Sequence, residues 1–304
     1  MPKNFLLIGA AGYIAPRHMA AIKATGNTLI AAYDPFDSVG IIDSYFPNAD
    51  FFTEFERFDR HVEKLKRSGI EIDYVSVCSP NYLHDAHIRF GLRIGASVIC
   101  EKPIVLNPWN VEALEELESE YPGNIYNILQ LRLHDSVIAL KQRVSESAED
   151  VVHDVDLQYF TSRGKWYMRS WKGDISKSGG IATNIGVHFF DMLMWTFGPV
   201  QSSEVFRHEE TDAEGRLRLE RAHVHWRLSV DYEKIPAEIR SSGARTYRSI
   251  KIGDTELEFS GGFTELHTKS YEDILAGGGF RISEAKPAIQ LVHDIRNTQA
   301  TQDD

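Results

Sequence analysis

The stretch NFLLIGAAGYIA, residues 4–15, constrains the fold more than any other part of the chain. An apolar run over 4–8 is closed by Gly9, and helix character follows until Gly26. An apolar run without alternation reads as a parallel strand buried on both faces. A glycine turn from such a strand into a helix aims the helix's first N–H groups and its positive dipole end past the strand. The same grammar repeats. TLIAAYD ends at Asp34, IDYVSVCSP is closed by Pro80, and ASVICEKP and NIYNILQL follow as further strands. Between them lie helical segments: the charged 53–67, LHDAHIRFGLRIG stopped by Gly95, and NPWNVEALEELESEY with Asn107 as cap and Pro108 at its first position. Strand–helix alternation over the first ~130 residues predicts an α/β unit with a parallel sheet covered on both faces.

The pattern then changes. SVIALKQRV and TNIGVHFFDMLMWTFG read as helices, the second ended by Gly198, and VHDVDLQYFTSRG has period-two character. Residues 200–260 are rich in alternating stretches, RAHVHWRLSVD, RSIKIGD and TELEFS, with Gly253-Asp254 as a hairpin signal. EAKPAIQLVHDIRNTQ closes the chain as a helix. This half predicts an α+β domain with a largely antiparallel open sheet. The change of pattern divides the chain into 1–124 and 125–304.

Composition excludes several classes. A net charge of -11 argues against nucleic acid as a partner, because phosphate binding needs a basic surface. Two cysteines, Cys78 and Cys100, both beside apolar runs, make neither a disulfide framework nor a structural zinc site. The N-terminal apolar run is too short for a signal peptide, and no run approaches the ~18 apolar residues of a membrane span. A reduced, cytoplasmic protein is expected, with no membrane partner. His84 with His87, and His223 with His225, have helical or strand spacing for a metal but lack a third ligand, so no metal is expected.

The first turn, Gly9-Ala-Ala-Gly12-Tyr-Ile-Ala15, has the position of a dinucleotide fingerprint but the spacing G-x-x-G-x-x-A. Gly9 makes the tight turn, and Ala11 or Gly12 lets the backbone approach a pyrophosphate. Tyr13 and Ile14 complete the turn. Asp34, at the end of the second strand, offers a carboxylate to both ribose hydroxyls and repels a 2′-phosphate, which selects NAD over NADP.

Three further segments matter together with that turn: CSPNYLHDAH at 78–87, CEKP at 100–103 and TNIGVHFFDM at 183–192. Their combination resembles the Gfo/Idh/MocA family of two-domain, nicotinamide-dependent sugar oxidoreductases, over nearly the whole chain. The resemblance implies an N-terminal Rossmann dinucleotide-binding domain and a C-terminal α+β domain for substrate and oligomerisation. IGAAGYIAPRHM, SVGIID, FFTEFE, TSRGKWYMRSWKGD and TNIGVHFFDML are similar to bacterial UDP-N-acetylglucosaminuronate 3-dehydrogenases, which serve the making of diacetamido uronic acids for surface polysaccharides such as O-antigen. That similarity implies oxidation at C3 of a UDP-sugar, tightly held NAD, 2-oxoglutarate as terminal oxidant in some members, and a homotetramer built through the open sheet faces. It also places Ser79, Asn81, His84, Glu101 and Lys102 near the cofactor. Another nucleotide sugar, a free sugar or a cyclitol as substrate, and a non-catalytic NAD-binding regulator, are the alternatives.

Oxidising a secondary alcohol needs a nicotinamide, a base for the hydroxyl proton and a group that steadies the developing alkoxide. Read alone, Lys102 is an ordinary loop lysine before a proline. After a parallel strand of a doubly wound sheet it stands where the ligand crevice opens, and its charge suits the oxygen-holding role. Asn184, His188 and Asp191 share a face at i, i+4 and i+7 of one helix. An imidazole can change charge near neutral pH, so His188 is the best candidate for the base. Asn184 stands where many family members carry aspartate; its amide hydrogen-bonds but takes no proton. Arg163, Lys165, Arg169 and Lys172 lie among Trp166, Tyr167 and Trp171. Rings can stack on a sugar or uracil face, and cations can hold a diphosphate or a C6 carboxylate; a solvated basic loop is the plainer reading.

Overall fold

The structure, a computed structural model, describes residues 1–257, 263 and 265–301. Its first elements are β1 (Asn4–Ile8), α1 (Ala15–Ala24), β2 (Thr28–Tyr33), α2 (Ile42–Tyr45), β3 (Asp50–Phe52), α3 (Phe55–Arg67), β4 (Tyr74–Val77), α4 (His84–Arg93), β5 (Ser97–Cys100), α5 (Pro108–Glu120) and β6 (Ile125–Asn127). Then come α6 (Asp135–Glu146), β7 (His153–Thr161), α7 (Lys165–Arg169), α8 (Ile175–Ser178), α9 (Val187–Phe197), β8 (Val200–His208), β9 (Asp212–Leu219) and β10 (Ala222–Ser229). The remaining elements are α10 (Ala237–Ser241), β11 (Thr246–Ile252), β12 (Thr255–Glu256), α11 (Leu266–Leu275) and α12 (Ile282–Asn297). The expected Gly253-Asp254 hairpin joins β11 to β12; the last residues of TELEFS, 258–260, lie outside the described residues.

The chain forms two compact units, residues 1–130 with 264–285, and residues 131–263 with 286–304. This differs from the expected division at 124/125, because a distant segment returns to the first unit. Tyr271 of α11 explains the return. Its ring stacks on Phe5 of β1 at 5.8 Å, and its hydroxyl bonds to Ser76 of β4 at 2.6 Å. Nothing local in LHTKSYEDIL announces such a partner.

In the first unit six parallel strands run in the order β3-β2-β1-β4-β5-β6. That is the doubly wound order, whose reversal beside β1 opens a ligand crevice at the carboxyl ends of the strands. Phe5, Leu7, Ile22 and Ile274 belong to the core over one face.

The second unit has a sheet in the order β12-β11-β7-β10-β9-β8, antiparallel except for β10 beside β7. Alternation on β9 and β10 buries Leu217, Leu219, Val224, Trp226 and Leu228 on one face. Gly186, just before α9, lets that helix approach: a Cβ there would stand 2.6 Å from Leu228 Cδ1 and 2.9 Å from Phe190. The opposite face carries Asp156, Glu214, Arg216, His225 and Arg227. It is laced by Arg227–Asp156 at 3.1 Å and His225–Glu214 at 3.0 Å, and holds a concavity of about 720 Å³. None of the sequence-derived site residues lines that concavity. Among the described residues no helix is long and apolar enough to cross a membrane.

Candidate active site

Within the first unit the expected cofactor residues gather at the carboxyl ends of β1, β2, β4 and β5. Gly9 has φ +92°, and a Cβ there would fall 2.5 Å from the Cys78 carbonyl carbon and the Ser79 nitrogen. Only glycine lets this turn lie against the end of β4. Gly9 N–H donates to Tyr33 O at 2.8 Å and Gly12 N–H to Gly9 O at 3.1 Å, which ties the turn to β2 and closes it.

Asp34 is buried at 6% exposure and oriented by two backbone donors. Ala11 N–H bonds its Oδ2 and Phe36 N–H its Oδ1, both at 2.9 Å. The Ala11 donor, expected to face a pyrophosphate, is therefore engaged by Asp34. Among the described residues no bond engages the N–H groups of Tyr13 and Ile14, which precede α1. Each Asp34 oxygen keeps further lone-pair capacity for a ribose hydroxyl. A positive-φ glycine turn, two unused donors at a helix start and an oriented carboxylate fit a dinucleotide.

The loop after β4 is braced by its own side chains. Ser79 Oγ lies 2.8 Å from His87 Nδ1. Asn81 opens a short turn and is buried. His84 reaches Ser79 O at 2.8 Å with Nε2 and Pro103 O at 2.7 Å with Nδ1. Burial pushes His84 below its ordinary value. A neutral ring donates to only one carbonyl, so this double contact is fully satisfied only by the charged form. Either way His84 spans two loops as a brace, and both of its ring nitrogens are turned to protein carbonyls. Burial likewise pushes His87 down to about 4. Both cysteines are buried and free, and burial holds their thiols well above the usual range.

Lys102 is half-buried just past β5, and its peptide bond to Pro103 is cis. Glu101 before it, expected near the cofactor, points its carboxylate inward. His18 Nε2 and His267 Nε2 each lie 2.8 Å from its Oε1. Sequence reading missed both histidines. His267 and Tyr271 share a helix face by spacing, but their partners lie far away in sequence.

The second unit holds the remaining candidates. Residues Ala182–Gly186 form one wide π turn before α9 begins at Val187. Asn184 sits in that turn, so the single regular helix expected to carry Asn184, His188 and Asp191 is regular only from Val187 onward. An inserted backbone position breaks the 3.6-residue register. Asp191 is buried, and its carboxylate receives Arg132 Nη2 at 2.7 Å and Nε at 2.9 Å. Asn184 Nδ2 donates to Tyr167 Oη at 2.6 Å. The His188 ring stands edge-on to Tyr159 at 6.2 Å. Tyr167, expected to stack on a sugar, is 2% exposed, and burial pushes its hydroxyl up. Trp166 is exposed, as are Arg163, Lys165 and Arg169. Lys172 is half-buried, with its ammonium 4.0 Å from the Trp171 ring centre and 5.9 Å from that of Trp166.

The description "Oxidoreductase family, NAD-binding Rossmann fold" matches residues 3–126, and "Oxidoreductase family, C-terminal alpha/beta domain" matches residues 150–235. The chain belongs to the Gfo/Idh/MocA oxidoreductase family. This oxidoreductase is similar to the WlbA (WbpB) dehydrogenase from Thermus thermophilus, solved in complex with NAD and alpha-ketoglutarate. The TM-score is 0.95, at 48% identity over 99% of this chain and 97% of that one. The same Thermus dehydrogenase in complex with NAD and UDP-GlcNAcA matches with TM-score 0.95 and 47% identity, over 99% and 97%. The D-glucoside 3-dehydrogenase of Escherichia coli is 26% identical over 65% of this chain and 54% of its own. The chain spans about half the length of the curated relatives it matches.

Proposed function

We propose that this oxidoreductase uses NAD to oxidise the C3 hydroxyl of UDP-N-acetylglucosaminuronate, and that 2-oxoglutarate takes up the reducing equivalents. One observation carries the reading: identity of 47–48% across 99% of the chain to a dehydrogenase solved with NAD and, in turn, UDP-GlcNAcA and alpha-ketoglutarate. The Gly9 turn and the oriented Asp34 support the cofactor assignment.

The chain's residues then take these parts. Gly9, Gly12 and the Tyr13 and Ile14 donors receive a pyrophosphate at the start of α1, and Asp34 holds the adenosine ribose. Bound NAD supplies the acceptor for the hydrogen that leaves C3 with its electron pair. His188 takes the C3 hydroxyl proton. Lys102 holds the oxygen as negative charge grows on it. Asn184, whose amide donates to Tyr167, hydrogen-bonds the sugar. Trp166 offers a ring face, and Arg163, Lys165, Arg169 and Lys172 offer charge for diphosphate and C6 carboxylate. The surroundings implied are the cytoplasm, a pathway to diacetamido uronic acids for surface polysaccharide, and a homotetramer. The charged open sheet face of the second unit suits a docking surface between copies.

Purified protein is to be incubated with UDP-N-acetylglucosaminuronate and 2-oxoglutarate. The expected products are the 3-keto sugar and 2-hydroxyglutarate in equal amounts. Turnover with a different sugar and not this one would sink the substrate assignment. Bound NAD without turnover of any sugar would favour a regulator.

A further inference from the structure

His18 of α1, Glu101 at the end of β5, and His267 and Tyr271 of α11 form a buried polar network outside the steps assigned above. His18 is 0%, Glu101 6%, His267 1% and Tyr271 0% exposed. Its hydrogen bonds have one consistent direction. An ionised carboxylate only accepts, so the Nε2 atoms of both histidines carry protons toward Glu101 Oε1, each at 2.8 Å. Burial keeps His18 below its ordinary value, and hence neutral, so its Nδ1 accepts the Tyr271 hydroxyl at 2.7 Å. Tyr271 in turn accepts from Ser76 at 2.6 Å. Burial pushes Glu101 up, but the bonds from His18 and His267 outweigh it and hold the carboxyl well below its usual range. The other oxygen, Oε2, accepts the Lys102 backbone N–H at 3.3 Å.

Two readings compete for this cluster. The ligand atoms of His18, Glu101 and His267 lie within 4.8 Å of one another, as metal ligands do. Yet both N···O distances are those of charge-assisted hydrogen bonds. An ion also needs an entry path and ligands not already committed. A purely stabilising role fares no better, since a buried ionised group is seldom more stable than apolar packing of the same volume. What the network does provide is rigidity from β4, β5, α1 and α11 at the residue preceding Lys102.

We propose that Glu101 is a positioning residue: clamped between His18 and His267, it fixes the Lys102 backbone and so the direction from which the ammonium meets the substrate oxygen. This rests on the reading of Lys102 as the oxygen-holding group. A displacement of about 1 Å at such a group can cost on the order of a hundredfold in rate.

The test is a double-mutant cycle on the holoenzyme, read by NAD affinity, KM and kcat for UDP-N-acetylglucosaminuronate. Glu101→Gln keeps the shape but sets an amide donor or a neutral acceptor against two N–H groups. It is expected to lower kcat about tenfold or more while leaving NAD affinity and KM within about threefold. His267→Gln removes one arm of the clamp and gives the same pattern, smaller in size; it carries the test if Glu101→Gln does not fold. In a Lys102→Ala background, Glu101→Gln adds no further loss, because the group it positions is gone. If Lys102→Ala itself keeps full kcat, the functional reading of Lys102 fails. If Lys102→Ala loses kcat but Glu101→Gln does not, or loses equally in both backgrounds, the positioning inference alone fails. A stoichiometric divalent metal in the purified protein, absent from Glu101→Gln, would overturn it in favour of a metal site.

Discussion

His87 shows how burial on this scaffold becomes pH dependence. Its folded value of about 4 lies below the ordinary 6.5. The unfolded chain therefore binds more protons between those values. The stability from keeping this ring neutral is fully present above about pH 6.5 and is lost as pH falls toward 4. Between about pH 7.5 and about pH 5 this one group costs about 2 kcal/mol. Urea unfolding at both pH values checks this: His87→Gln is expected to lose about 2 kcal/mol less than the parent across that interval, and an unchanged slope would refute the assignment. At this scale the sequence was unevenly legible. Gly9 stands out because a strand and a helix flank it locally, whereas Lys102 reads as an ordinary loop lysine until its place after a parallel strand of a doubly wound sheet is considered. Asp34 follows the second strand as expected, but its engagement by Ala11 depends on how the turn closes. His18 and His267 carry no local mark, since their shared partner Glu101 is 83 and 166 residues away.

Among the elements, α9 is held by a buried polar anchor. Asp191 and Arg132 have side chains only 3% and 7% exposed, and they meet in a bidentate pair that fastens α9 to the turn before α6. Removing one partner leaves a buried charge uncompensated. Arg132→Met is expected to cost about 3–5 kcal/mol in unfolding free energy, and Arg132→Met with Asp191→Leu to recover most of it. A negligible cost for the single variant would show that water reaches the pair. The helix itself was legible from its apolar stretch and terminal glycine. The wide turn at 182–186 was not, because an inserted backbone position leaves no trace in residue type. Strands β8 and β9 fall in the 200–260 stretch read only in general as alternating, and their order in the sheet rests on long-range pairing.

On the scale of the whole molecule, two compact units carry different sheets. The first presents a dinucleotide turn and Lys102 at the carboxyl end of a parallel sheet. The second holds Asn184, bonded to Tyr167, and His188, whose ring meets those of Tyr159 and Phe189. The alternation of strands and helices revealed the first sheet, and period-two stretches revealed the second. The return of 264–285 to the first unit was hidden, because its cause is the packing and hydrogen bonding of Tyr271 against residues near the start of the chain. The central claim is that a hydrogen leaves C3 of the sugar and reaches 2-oxoglutarate through cofactor held on this chain. UDP-N-acetylglucosaminuronate deuterated at C3, incubated with the holoenzyme and 2-oxoglutarate, is the most direct test. Mass spectrometry is expected to find the deuterium at C2 of the 2-hydroxyglutarate formed. Unlabelled 2-hydroxyglutarate, or label transferred only when deuterium sits at another carbon of the sugar, would contradict it.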